Sequence, residues 1–292
     1  MISKFLHWIL FFSLVMVWGS SFILMKHALI AFTAIQIGAL RILFAAIFTL
    51  LFAYPNFKEF RRSDIIHLII IAILGNSIPY ILFPIAVNHI PTGIVGITNS
   101  MTPLFTLMVG LIAYGRKLKP LKIFGVGVGI LGTLILINPF YDGSVIGENW
   151  PYMLLALTAA ACYGISINSI SKLNHLTPRA ITLFAMIGAS VPSLIILLVT
   201  DFTSKFNGDF EIWTPFLAIA FLGIVATSMA MVIFNKLISI TTPIFAASTT
   251  YAIPIVAIGW GLVFGEDLLW NHFFGMTIIL LGVWIVNKNS LN

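Results

Sequence analysis

Ten apolar runs, each close to the length that carries an α-helix through a bilayer, leave this chain essentially one class of fold. They cover residues 6–25, 34–54, 65–87, 93–113, 121–138, 151–171, 179–200, 213–234, 243–264 and 271–287. A spanning helix needs about 20 consecutive apolar residues, and a backbone facing lipid must satisfy its polar groups within itself, as a helix does. Composition agrees: 8% of the 292 residues are charged and 60% hydrophobic, with mean hydropathy +1.09, whereas a soluble domain is about 25% charged. The expected fold is an all-α integral membrane protein with ten transmembrane helices. The first run, behind Lys4, is longer than a signal-peptide core and has a counterpart later in the chain, so it is read as a span.

The charges orient the spans. With the N-terminus inside, cytoplasmic segments hold Lys4, Lys58, Arg61, Arg62, Arg116, Lys117, Lys119, Lys122, Lys172, Arg179, Lys236 and Lys288, against Lys26 and Lys205 outside. That bias follows the positive-inside rule. The outer loops instead gather Asp142, Glu148, Asp201, Asp209, Glu211, Glu266 and Asp267. Both termini are therefore expected in the cytoplasm. The net charge of +6 reflects these loops and the lipid bilayer they adjoin, and no nucleic-acid partner is expected.

Sliding the chain by about 150 residues aligns several features at once. Phe83 falls on Phe234, and Thr98, Asn99 and Pro103 fall on Thr249, Thr250 and Pro254. Gly115, Phe124, Gly125 and Gly132 fall on Gly265, Phe274, Gly275 and Gly282, and Trp18-Gly19 with Ser21 fits Tyr163-Gly164 with Ser166. Two halves of five helices, residues 1–143 and 144–292, are expected. Because five is odd, the second half enters the membrane from the opposite side. Such inverted repeats recur in secondary transporters, with the binding site near the midplane between the halves.

Several segments resemble the EamA-type transporters of the drug/metabolite transporter superfamily: "VWGSSF" of the first span, "LRILFAAIF" of the second, "MTPLFTLMVGLIAYG" of the fourth, and "AIPIVAIGWGLVFGE" followed by "FFGMTIILLGVWIV". The resemblance implies a ten-helix inner-membrane carrier with cytoplasmic termini that moves small metabolites, often amino acids or related compounds, commonly outward. One departure is that Arg116 stands where the second half has Glu266.

Polar residues inside spans must face a cavity or another helix. The candidates for a substrate cavity are Trp18, Ser21, Asn76, Tyr80, Asn99, Tyr163, Ser166, Asn168, Thr250, Tyr251 and Trp260. Asn99 and Thr250 each lie four residues before a proline, Pro103 and Pro254, which cannot donate to the carbonyl one turn back. Those two carbonyls are expected to be free for substrate or capped by nearby hydroxyls. Tyrosines offer an apolar face with a hydroxyl, whereas asparagine and serine in spans also serve as links between helices. Trp8, Trp150, Trp213, Trp270 and Trp284 lie near span ends and read as interfacial belts.

Arg41 is the one clearly intramembrane charge. It is either an anion binder or a helix tether, and its place near the outer end of the second span also allows outward snorkelling. No Asp or Glu lies within any span, which disfavours a proton-coupled exporter of organic cations. A neutral or zwitterionic metabolite is expected, moved passively, by exchange or with loose coupling. The alternatives are a drug or organic-cation efflux carrier, a non-transporting membrane protein or channel, and a membrane enzyme. The lone Cys162 excludes an internal disulfide, no metalloprotease, Walker or nucleophile-elbow motif is present, and no cofactor is expected. The oligomeric state is left open, a homodimer included.

The stretch Gly127-Val-Gly129-Ile-Leu-Gly132 matches G-x-G-x-x-G. It lies inside an apolar span with no acidic residue before Asp142, so the dinucleotide context is missing. Gly125 and Gly129 instead have the small-xxx-small spacing that lets membrane helices approach closely. With Gly132, Gly275 and Gly282 they are read as a packing seam.

Overall fold

The computed structural model describes residues 2–52, 60–113, 115, 120–137, 147–206, 210–267 and 270–287. Lys58, Arg116, Lys117, Lys119, Lys288, Asp142 and Asp209 of the charge pattern, and the boundary between residues 143 and 144, lie outside them. The described residues form helices without strands. In chain order these are α1 (Ile2–Ala28), α2 (Ala34–Phe52), α3 (Asp64–His89), α4 (Thr92–Ile112), α5 (Pro120–Ile137), α6 (Trp150–Ile170), α7 (Pro178–Val199), α8 (Phe210–Ile240), α9 (Pro243–Val263) and α10 (Trp270–Asn287).

Among the described residues, eight of these segments are long and apolar enough to cross a membrane: α1 to α4 and α6 to α9. α5 and α10, of 18 residues each, stand outside that count, so eight of the ten expected spans have helices long and apolar enough to cross. The expected eighth span, 213–234, is too short: the helix runs on to Ile240. Its extension is held by Asn235, whose Nδ2 donates to Thr182 Oγ1 on α7 at 2.9 Å.

The outward surface is apolar. Ile30, Leu51, Leu198 and Val199 are all more than 70% exposed, and such a coat fits lipid, not water. Trp8, Trp150, Trp213, Trp270 and Trp284 are exposed as well.

The helices pack mainly across the chain's midpoint. α1 lies on α8 and α9, α2 on α7, α3 and α4 on α6, and α5 along α10. Missing side chains permit several of these approaches. A Cβ on Gly19 of α1 would come 2.5 Å from Val256 Cβ of α9, and one on Gly164 of α6 would come 2.7 Å from Phe105 Cβ of α4. Along α5 and α10, a Cβ on Gly132 would meet Ile279 N at 2.7 Å and one on Gly282 would meet Gly129 N at 2.5 Å and Gly125 O at 2.7 Å. Gly275 joins this seam through its carbonyl, 3.0 Å from the Gly132 position, whereas Gly127 faces open space.

Candidate functional site

A cavity of about 70 Å³ lies where α1, α2, α3, α4, α6, α8 and α9 converge. Two kinds of helix irregularity shape its surroundings. α3 carries a π-helical stretch at Ile73–Ser77 and α8 another at Ile224–Met229. The wider turns shift the carbonyl pairing, and side chains take it up. Asn76 Nδ2 donates to Ile71 O at 2.8 Å, Ser77 Oγ to Ala72 O at 3.0 Å and Thr227 Oγ1 to Leu222 O at 2.8 Å. Each donor reaches back five residues, the spacing of the π-turn.

α4 and α9 are broken instead. α4 stops at Asn99 and resumes at Thr102, and α9 passes through a 3₁₀ turn at Ser248–Tyr251 before resuming at Ile253. In each case a proline, Pro103 or Pro254, is the second residue of the new helix, where its missing N–H costs no ladder bond. Hydroxyls cover the carbonyls left at the break: Thr102 Oγ1 donates to Asn99 O at 2.8 Å, Thr249 Oγ1 to Ala246 O at 2.8 Å and Thr250 Oγ1 to Ala247 O at 2.8 Å. The Asn99 carbonyl is thus capped rather than free.

Arg41 is 5% exposed and turned towards the cavity, so it does not snorkel. Its Nε donates to Thr227 Oγ1 at 2.7 Å, its Nη2 to Ala226 O at 3.4 Å and its Nη1 to Met25 Sδ at 3.9 Å. The guanidinium carbon stands 4.0 Å from the centre of the Tyr80 ring, a cation–π arrangement. Among the described residues none of these partners is acidic. Ala226 O also accepts from Trp18 Nε1 at 3.0 Å, so one carbonyl of the α8 π-stretch anchors both an α1 and an α2 side chain.

The structure brings together Trp18, Ser21, Arg41, Tyr80, Asn99, Tyr163, Ser166 and Thr250 on the cavity wall. The other four candidates stand elsewhere. Asn76 turns back to its own helix. Asn168 bridges α6 to α4, its Nδ2 donating to Gly164 O at 2.9 Å and Thr106 O at 2.8 Å, which is the helix-linking role. Tyr251 packs against the core. Trp260 is 38% exposed and donates to Ser20 Oγ at 2.9 Å on the outer surface of the bundle.

Sequence reasoning missed Met25, Thr102 and above all Thr227. A signal for Thr227 existed, because the offset that carries Phe83 to Phe234 carries Asn76 to Thr227. It also missed two carboxylate contacts at the bundle's ends, a salt bridge to Lys26 and a hydrogen-bonded contact to His175. Glu266 Oε1 holds Lys26 Nζ at 2.6 Å, while Oε2 accepts from Thr92 N and Thr92 Oγ1, each at 2.8 Å. Asp64, 3% exposed, pairs with His175 Nε2 at 3.0 Å and caps the turn at Arg61 N, 2.9 Å away.

Apolar helices long enough to cross a membrane converge on a small cavity, walled mostly by aromatic and aliphatic side chains with a few hydroxyls, Asn99 and, among the described residues, the single cation Arg41; they define a multi-pass α-helical membrane protein. The chain belongs to the EamA-like transporter family, which it matches twice, over residues 6–138 and 150–288. It is 26% identical over 289 residues to the Escherichia coli K12 protein named "Uncharacterized inner membrane transporter YedA", covering 94% of this chain and 88% of that one. It is 23% identical over 284 residues to an E. coli K12 "Probable amino-acid metabolite efflux pump", covering 93% of this chain and 91% of that one. A solved crystal structure, titled only as that of a protein, shares the fold with a TM-score of 0.67 at 14% identity, over 97% of this chain and 96% of the other. Family and relatives indicate a membrane transporter of the drug/metabolite type rather than an enzyme.

Proposed function

We propose that this chain is a secondary carrier of small neutral or zwitterionic metabolites, amino acids or related compounds among them, that exports or exchanges its solute by alternating access. It consists of ten spans in two inverted five-helix repeats, residues 1–143 and 144–292, with both termini on the cytoplasmic side of the inner membrane. The carrying observation is that matched irregularities from both halves surround the cavity: the α3 π-stretch and the two helix breaks line it through Gly75, Asn99, Thr102 and Thr250, and the α8 π-stretch holds Arg41, which lines it. The π-stretches of α3 and α8 sit at one sequence offset, as do the proline-marked breaks of α4 and α9. The glycine contacts support the same reading. Gly19 on Val256 and Gly164 on Phe105 are one contact written twice, with the halves exchanged. The double family match also supports it.

A cavity of about 70 Å³ is smaller than the ~150 Å³ that admits benzene into an engineered apolar core. A metabolite with more than a few heavy atoms therefore enters only when the halves part, as rocking about a midplane site requires. The relative named as an amino-acid metabolite efflux pump supports the solute class. The test is counterflow in proteoliposomes loaded with a metabolite panel, comparing wild type with Asn99→Ala and Tyr80→Phe. Saturable exchange altered by either substitution is expected. Unsaturable conductance, or no flux of any compound, overturns the carrier reading, and two variants indistinguishable from wild type overturn the assignment of the cavity.

A further inference from the structure

We infer that Arg41 is an anion subsite of the central cavity and that the transported solute carries a carboxylate which pairs with it. This deepens the carrier reading above and rests on it.

Three observations carry the inference. First, Arg41 is the sole charged residue among those lining the cavity, and its contacts are a hydroxyl, a carbonyl, a thioether and an aromatic face. A buried ion costs several kcal/mol relative to water, and neutral partners offset only part of that. A solute anion entering the cavity supplies the missing charge.

Second, among the described residues the guanidinium keeps spare donors. It has five N–H donors, and its three contacts use one from each nitrogen. A carboxylate, like a phosphate, presents two oxygens at the spacing of a guanidinium fork. Third, the side chain is fixed before the solute arrives. Thr227 holds Nε at 2.7 Å while donating its own proton to Leu222 O at 2.8 Å, and Tyr80 lies beneath the plane. Both neighbours belong to or follow the π-stretches, so those irregularities set the direction of Arg41. A single guanidinium balances a monoanion, which favours a carboxylate over a phosphate dianion.

An amphipathic helix tether would explain the bond to Thr227 but gives no reason for the charge. A neutral donor at position 41 would link α2 to α8 as well.

The test uses purified full-length protein in proteoliposomes. Counterflow is measured with each of the twenty protein amino acids and with lactate and pyruvate, and the best substrate is compared with its carboxamide. Wild type is expected to prefer the acid by about tenfold or more in half-saturation, the scale of a charge-assisted hydrogen bond. Arg41→Gln is expected to reduce that preference to under about threefold, with Arg41→Lys between the two, since lysine keeps the charge but loses the fork. Thr227→Val gives a second handle if Arg41→Gln yields no folded protein. It keeps the cation but frees its direction, and is expected to raise the half-saturation of the acid at least about threefold more than that of the amide.

Saturable flux with acid and amide equal in wild type overturns the subsite and leaves the carrier reading standing. A folded Arg41→Gln protein that keeps the wild-type preference overturns it too. No saturable flux of any compound overturns the carrier reading itself.

Discussion

Glu266 and Lys26, 240 residues apart in sequence, meet at 2.6 Å, and the carboxylate that makes this pair also receives the first backbone N–H of α4. The ends of α1 and α9 and the start of α4 are thereby joined at one end of the bundle. The Glu266 side chain is 4% exposed and that of Lys26 46%, so the two contributions differ. The exposed cation adds little by itself, while the carboxylate is a helix cap. Glu266→Ala is expected to lower stability by about 1–2 kcal/mol, as loss of a cap does, and Lys26→Met by less than about 1 kcal/mol. Thermal unfolding in detergent checks the order, and equal losses would contradict it.

The three glycines of the G-x-G-x-x-G stretch have three different surroundings. Gly127 faces open space, Gly129 lies against Leu104 and Gly132 lies against the backbone of α10. Gly127→Ala is therefore expected to be neutral or stabilising by up to about 1 kcal/mol. Gly132→Ala and Gly282→Ala are expected to cost about 1–3 kcal/mol, the range for overpacking. A dinucleotide loop would make Gly127→Ala costly as well, since its turn and backbone approach depend on every glycine of the motif. Melting curves of the three variants separate the cases.

Two tryptophans donate hydrogen bonds from different places in the bundle. Trp18 lines the cavity and anchors to Ala226 O, whereas Trp260 bonds Ser20 on the periphery. Trp18→Phe removes a donor to a carbonyl shared with Arg41 and is expected to cut transport several-fold, about 1 kcal/mol of lost hydrogen bonding. Trp260→Phe is expected to leave flux within about twofold of wild type, since no buried group loses its partner. Flux assays at matched expression decide between them.

The charge pattern predicts which side each loop faces. In a Cys162→Ala background, Lys205→Cys is expected to react with a membrane-impermeant maleimide on intact cells, and Lys236→Cys only after permeabilisation. The opposite labelling would invert the topology.

The sequence by itself determined that the chain is a helical membrane protein and roughly where its helices run, and it carried the expectation that its halves correspond. These properties are local or periodic: hydropathy over about 20 residues marks a span, and matched prolines and glycines mark a repeat. It also showed that Pro103 and Pro254 cannot donate to the carbonyl one turn back, whereas the breaks of α4 and α9 themselves came from the structure. What only the tertiary structure decided is which polar groups face one another. Asn76, Asn168 and Trp260 have the same credentials in sequence as Tyr80, Tyr163 and Trp18, yet the first three bond to backbone or to a surface hydroxyl and the others wall the cavity. The difference comes from helix rotation and from π-turns, which advance the face of α3 and α8 by an amount no residue type announces. Arg41 is the clearest instance. Its depth in α2 was legible, but its direction depended on a hydroxyl 186 residues away.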